Sequence, residues 1–336
     1  AIKKMEILTG LLIIAAGSFG QSSSYVPIRK VKAWSWESFW LVQGLFAWLI
    51  FPLLGALLAV PEGHRLVEVY AANPGATLWT IFFGILWGIG GLSMRYLGIA
   101  LGQSIALGTC AGLGTILTPL FTGRPGDLTM PVIAGVAVTL AGIAVIGYAG
   151  SLKSATLSEE EKKESVKDFH FTRGIMVALS AGFMSACFSI GLGFGESLCF
   201  TQTADIYKTL PATLMVTLGG FVTNATYCFY QHAKNRTWSD YGQTGLYVNN
   251  LFFCALAGVL WYSQFFGLSL GKGFLSASPV LLTFSWCILM ALNVTFSNVW
   301  GILLKEWKGC SKQTIAVLIA GLLLLVFSSF LPELLK

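Results

Sequence analysis

The sequence predicts an all-α membrane protein: ten transmembrane helices as two five-helix inverted-topology repeats. Three observations predict it. Of the 336 residues, 55% are hydrophobic and only 11% charged, with a mean hydropathy of +0.73, whereas a water-soluble domain carries roughly 25% charged residues. Apolar runs of about 20 residues, the length that crosses about 30 Å of hydrocarbon, follow one another along the chain. Their unbroken character selects helices over the alternating strands of a barrel. One mixed-charge segment, Lys153 to Arg173 with Glu159, Glu160, Glu161, Lys162, Lys163, Glu164, Lys167 and Asp168, then divides them five and five.

Charges and Pro/Gly breaks bound the spans near 7–28, 38–60, 78–94, 97–121, 131–149, 174–195, 209–231, 247–270, 277–303 and 314–334. Lys3 and Lys4 precede the first, and Trp34-Ser35-Trp36-Glu37 opens the second. Only Arg95 and Gly98 separate the third from the fourth. The expected organisation is a first repeat over 1–150, a charged cytoplasmic linker over 151–173 and a second repeat over 174–336.

Basic residues near span ends are retained on the cytoplasmic side. The loops after the odd-numbered spans hold fourteen of the twenty-one Lys and Arg residues, including Arg29, Lys30, Lys32, Arg95, Lys153, Lys234 and Arg236. This distribution puts both termini outside, while Lys3 and Lys4 before the first run argue the other way, as for a signal anchor. A shift of 174 residues overlays Gly84-Ile85-Leu86-Trp87 on Gly258-Val259-Leu260-Trp261, each in the third span of its half. Because five is odd, the second half is inverted relative to the first. Inverted repeats of this kind build transporters that rock around a site near the midplane.

Polar side chains inside a span are costly unless they face a bundle interior or a watery cavity. In the first span, Gln21 and Tyr25 lie four apart, so one helix face offers an amide and a phenol suited to an uncharged polyol. The alternative for neighbouring Ser22 to Ser24 is helix packing by small residues. In the eighth span, Trp261-Tyr262-Ser263-Gln264-Phe265-Phe266 places an amide among rings. That pattern resembles a sugar site, in which rings stack on the pyranose and the amide binds its hydroxyls. The alternative is an interhelical hydrogen bond amid lipid-facing rings. In the ninth span Trp286, Asn293 and Trp300 recur every seven residues and share a face. Trp87, Gln103 and Gln43 are weaker candidates, each also readable as packing.

Charges near the spans are few: Glu37, Arg95, Glu196, Asp205, His232 and Glu306. A buried carboxyl can load and release a coupling proton. Glu37 is the first candidate, its alternative being an interfacial pair with Lys30 or Lys32. Glu196, in Gly-Phe-Gly-Glu, is the second, its alternative a solvated loop acid. His232 reads as an interfacial residue.

Other chemistries are absent from the sequence. No G-x-x-x-x-G-K-[ST] encodes an ATP-driven pump, and His64, His170 and His232 begin no H-E-x-x-H. The seven cysteines have no C-x-x-C spacing, so no disulfide framework, metal site or cofactor is expected. The net charge of +6 is a topology signal, not a nucleic-acid footprint. An intramembrane enzyme would need clustered acid, base or metal ligands that the chain lacks. No obligate protein partner is expected.

Several stretches in order along most of the chain resemble the bacterial L-rhamnose-proton symporter family. They are Tyr25-x-Pro27-x-x-Lys30-Val31-Lys32-x-Trp34-Ser35-Trp36-Glu37, Trp87-Gly88-Ile89-Gly90, Met94-Arg95-Tyr96-Leu97-Gly98, Trp261-Tyr262-x-Gln264-Phe265-Phe266 and Leu304-Lys305-Glu306-Trp307. The Arg95-Tyr96 step into a Gly-rich span ending Thr118-Pro119 is also similar to the broader drug/metabolite transporter superfamily. The resemblance implies uptake of L-rhamnose or a related 6-deoxyhexose through the bacterial inner membrane, driven by proton symport. Gln21, Tyr25, Trp87, Trp261, Gln264 and Asn293 would line the sugar pocket, and Glu37 and Glu196 would titrate. The rival reading is an exporter of apolar metabolites or drugs on the same fold.

Overall fold

The computed structural model describes residues 2–94, 100–156 and 171–336, and among these every regular element is helical. The chain runs α1 (Ile2–Ser23), α2 (Tyr25–Ile28), α3 (Trp36–Gly44), a π-helical stretch (Leu45–Ile50), α4 (Phe51–Leu57) and α5 (Leu66–Ala72). It continues through α6 (Pro74–Met94), α7 (Ala100–Phe121), α8 (Met130–Ser154), α9 (Phe171–Phe194), α10 (Leu210–Asn235), α11 (Tyr247–Phe274), α12 (Pro279–Leu303) and α13 (Lys312–Leu334). Short 3-10 turns join several of these, notably Thr237–Gly242.

Eight of the described helices are long and apolar enough to cross a membrane, the first of them the α3–α4 rod Trp36–Leu57. Helices α1 and α10, 22 and 26 residues long, are less apolar because Lys3, Lys4, Glu6 and Gln21 interrupt one and Asn224, Gln231, His232 and Lys234 the other. The charged stretch Glu159 to Asp168, together with Arg95 to Gly98, lies outside the described residues, as does the side chain of Gln103.

Two compact units divide the chain: unit 1 is Ala1–Gly88 with Gly191–Ala277, and unit 2 is Ile89–Ile190 with Ser278–Lys336. Each therefore takes helices from both halves of the sequence. Within unit 1, α1 lies against α11 through small residues. A Cβ at Gly10 would sit 2.9 Å from the Gly271 carbonyl oxygen, and one at Gly267 would sit 3.0 Å from that of Ile13. Only glycines allow backbones this close, and close approach is the main source of helix adhesion where lipid removes the hydrophobic drive.

Unit 2 is held the same way. Leu325 of α13 fills the notch at Gly142 of α8, and Thr139 Oγ1 donates to Ser328 Oγ at 3.0 Å between these helices. Trp286 of α12 is 5% exposed, rests on Gly114 of α7, stacks on Phe188 at 5.8 Å and donates Nε1–H to the Cys110 carbonyl at 3.2 Å. It is a packed, hydrogen-bonded core residue.

Candidate functional site

The second long helix of unit 1 departs from α geometry in its middle. Pro52, in the first turn of α4, has no N–H to give the Trp48 carbonyl one turn earlier. The ladder above it widens into the π stretch, where the Phe51 N–H bonds to the Phe46 carbonyl five residues back. Trp48 lies in that stretch, its ring over Gly44, where no Cβ could fit.

Around Trp48 the rings of three other elements converge. Trp87 of α6 lies 6.4 Å from it and Trp261 of α11 5.9 Å, centroid to centroid, and these two are 5.7 Å apart. Trp87 in turn rests on Gly220 of α10, again with no space for a Cβ. Trp40 approaches Trp48 to 5.4 Å and stacks on Trp36 at 5.3 Å. Trp40 is tethered, its Nε1–H donating to Asn224 Oδ1 at 2.9 Å.

Trp48 is not tethered. It is 3% exposed, and its Nε1–H has no hydrogen-bond partner; Gln43, 2% exposed and about one turn earlier on the same helix, has an unpartnered Oε1. Leaving a donor and an acceptor unpaired in a buried site costs about 1–3 kcal/mol each. Each such atom calls for an explanation, and a ligand that supplies the missing partner is one.

The residues predicted from sequence do not all come together in this cluster. Trp87 and Trp261 join this ring cluster, and Gln264 is buried on α11, its Cα 3.2 Å from where a Cβ on Gly17 would stand. Gln21 and Tyr25 are half-buried, one near the end of α1 and the other at the start of α2. The chain tightens at Ser24, whose N–H bonds to the Gln21 carbonyl at 3.1 Å, and Tyr25 starts α2 with the Arg29 guanidinium 5.1 Å from its ring centre. Asn293 is half-buried on α12 in unit 2, and Glu196 is exposed in the turn that follows α9.

Glu37 occupies a different place, at the start of α3. It is 4% exposed and accepts from Asn235 Nδ2 at 3.0 Å and Thr237 Oγ1 at 2.8 Å, so its partners are α10 and the turn after it. Beside it Asp240 accepts from the Ser35 backbone N–H at 2.8 Å, Ser35 Oγ at 2.7 Å and Ser38 Oγ at 2.6 Å. Burial works against the ionised form of Asp240, but the hydrogen bonds from Ser38 and Ser35 outweigh it and hold the carboxyl below its ordinary range.

Sequence reasoning missed Trp48 and ranked Gln43 low. The available signal was Gly44 four residues before an indole and Pro52 four after it, which together predict a ring laid over a helix with a broken ladder. No signal joined Asn235 and Thr237 to Glu37, or Asp240 to Ser35 and Ser38, because those contacts cross about 200 residues of sequence.

Residues 4–334 match the family described as L-rhamnose-proton symport protein. The chain is 32% identical over 343 residues to the L-rhamnose-proton symporter of Yersinia pestis (strain Pestoides F), covering 96% of each chain. The same identity and coverage hold for the L-rhamnose-proton symporter of Yersinia pseudotuberculosis serotype O:1b (strain IP 31758).

Proposed function

The chain belongs to the L-rhamnose-proton symport protein family, and from that premise we propose that it takes up L-rhamnose or a related 6-deoxyhexose through the bacterial inner membrane in symport with protons. The observation that carries this reading is the Trp48–Trp87–Trp261 cluster with its unpaired Trp48 N–H and Gln43 oxygen. A 6-deoxyhexose has apolar faces and a methyl group for the indoles, and hydroxyls that both donate and accept for the free donor and acceptor. All three indoles lie well inside long helices, the depth at which transporters of this kind hold substrate.

Gln264, Gln21 and Tyr25 extend the sugar site in this reading. Glu37 is the first titrating acid and Glu196 the second. No comparison favours the exporter alternative, and the unpaired polar groups suit a hydroxylated substrate better than an apolar one.

The architecture we assign is ten spans in two inverted halves, as in the drug/metabolite transporter superfamily, with α1 and α10 as the two more polar spans and both termini periplasmic. Reciprocal packing supports it. Gly84 of α6 presses on the Val216 carbonyl of α10, while its sequence counterpart Gly258 of α11 presses on the second span, where a Cβ would lie 2.7 Å from Phe46 Cβ and 3.0 Å from the Ala47 nitrogen. The counterparts Trp87 and Trp261 meet ring to ring, as residues beside a two-fold axis do.

The test is uptake of labelled L-rhamnose in cells lacking their own transporter, with external pH recorded in a de-energised, unbuffered suspension. Accumulation with alkalinisation of the medium is expected; labelled uptake without any pH change rejects proton coupling.

A further inference from the structure

At the same end of unit 1 as Glu37, the imidazole of His232 is completely buried against two rings: Trp238 stacks on it at 4.2 Å and Tyr241 lies, tilted, 5.4 Å away. Its two nitrogens are both engaged. Nδ1 is 2.8 Å from Thr237 Oγ1, and Nε2 is 3.2 Å from the Tyr241 hydroxyl.

The directions of these bonds are set from outside the ring. Thr237 has one hydroxyl proton, and it points to Glu37 Oε1 at 2.8 Å; Tyr241 has one, and it points to the Ser38 carbonyl at 3.1 Å. Each hydroxyl can therefore only accept from the imidazole, so the network is complete when both ring nitrogens carry protons. Imidazolium and carboxylate are then separated by a single hydroxyl.

We propose that His232, Thr237 and Glu37 form one relay that holds the coupling proton, shared between imidazole and carboxyl through the threonine hydroxyl. The inference rests on the proton-symport reading above and adds a residue and a path to it. In the transfer, the proton on Nδ1 passes to Thr237 Oγ1 while the Thr237 hydroxyl proton passes to Glu37 Oε1. One N–H and one O–H bond break, two O–H bonds form, and imidazolium plus carboxylate become neutral imidazole plus carboxylic acid.

Release to water then leaves neutral His232 beside ionised Glu37, which is the unloaded state. Asn235, exposed and bonded to the same Glu37 oxygen, stands at the water side of the path.

The other ionisable groups around this ring leave the path intact. Asp240 is occupied by Ser35 and Ser38, Lys234 is exposed on the same helix, and Cys228 of α10 and Cys254 of α11 lie by the Tyr241 hydroxyl. The relay also has a mechanical reach. Loading it strengthens a tie between α3 and α10, and the same two helices hold Trp40 to Asn224 and carry Gly220 beneath Trp87. A proton that changes this tie changes the sugar site, and linkage requires the reverse effect as well.

The experiment uses the full chain in proteoliposomes, comparing the wild type with His232→Gln, Thr237→Val and Thr237→Ser. Two quantities are read: labelled L-rhamnose counterflow at zero pH gradient, and accumulation driven by an imposed gradient across an external pH series. For His232→Gln and Thr237→Val, counterflow is expected to stay within about twofold while gradient-driven accumulation falls by a factor of roughly 5–150, the range of coupling between linked ligands. Thr237→Ser, which keeps the hydroxyl, is expected to restore accumulation and its pH profile.

Wild-type accumulation in both His232→Gln and Thr237→Val overturns the relay alone. So does parallel loss of counterflow and accumulation that Thr237→Ser does not rescue, because that outcome marks a structural role. A wild type that exchanges rhamnose yet ignores the pH gradient overturns the symport reading itself, and the relay with it.

Discussion

Trp48 of unit 1 and Trp286 of unit 2 are almost the same residue by burial, 3% and 5% exposed, and each lies over a glycine, Gly44 or Gly114. They differ in one hydrogen bond. Trp286 gives its N–H to the Cys110 carbonyl, whereas Trp48 gives its N–H to no protein group and faces two further indoles. Burial of an aromatic ring in a membrane helix thus does not by itself tell the two apart, and the accounting of its polar atom does.

The sharpest way to break this comparison is to remove each ring. Trp286→Ala should cost about 3–5 kcal/mol, as large-to-small changes in packed interiors do, read as a loss of thermal stability in detergent. The removal also takes away the hydrogen bond from Nε1–H to the Cys110 carbonyl. If Trp286→Ala unfolds no earlier than the wild type, the packing role is wrong.

Trp48→Phe keeps an aromatic ring, smaller than the indole, and deletes the free donor. Its KM for rhamnose should rise by roughly tenfold, about 1.4 kcal/mol, while thermal stability is unchanged. An unaltered KM would remove Trp48 from the sugar site.

Gln43→Leu sharpens the point further. Replacing a buried acceptor that has no partner with an apolar group of similar size should stabilise the fold by about 1 kcal/mol and weaken uptake at low sugar concentration. A gain in stability with a loss of transport is the signature of strain retained for function.

The smallest effect belongs to acid. Asp240 titrates below its ordinary value in the folded chain, so its contribution to stability is fully present above its unfolded pKa of about 3.9 and is lost as pH falls through the lower folded value. Asp240→Asn should therefore flatten the loss of thermal stability as pH falls below about 4, with little change near pH 7.

Much of the fold was legible because a bilayer imposes length and composition on each helix separately: the apolar runs near 131–149 and 277–303 reappear as α8 and α12 with small changes at the ends. Trp87 and Trp261 were legible as candidates because similar four-residue strings, Gly84-Ile85-Leu86-Trp87 and Gly258-Val259-Leu260-Trp261, carry them. Trp48 was not, since its position depends on a widened helical turn that hydropathy does not register. His232 reads in sequence as an interfacial residue at the end of an apolar run, while its surroundings make it the most enclosed ionisable ring near Glu37.

The sequence by itself determined that this chain is helical and membrane-embedded, where most of its helices run, and the family to which it belongs, because these follow from local hydropathy and from strings of adjacent residues. Tertiary structure alone decided which polar atoms find partners. Trp40 meets Asn224, Trp286 meets Cys110, and Glu37 meets Thr237 and Asn235, while Trp48 and Gln43 are left open. Hydrogen bonding between helices is fixed by how helices distant in sequence pack and rotate against one another, a property that no single stretch of the chain encodes.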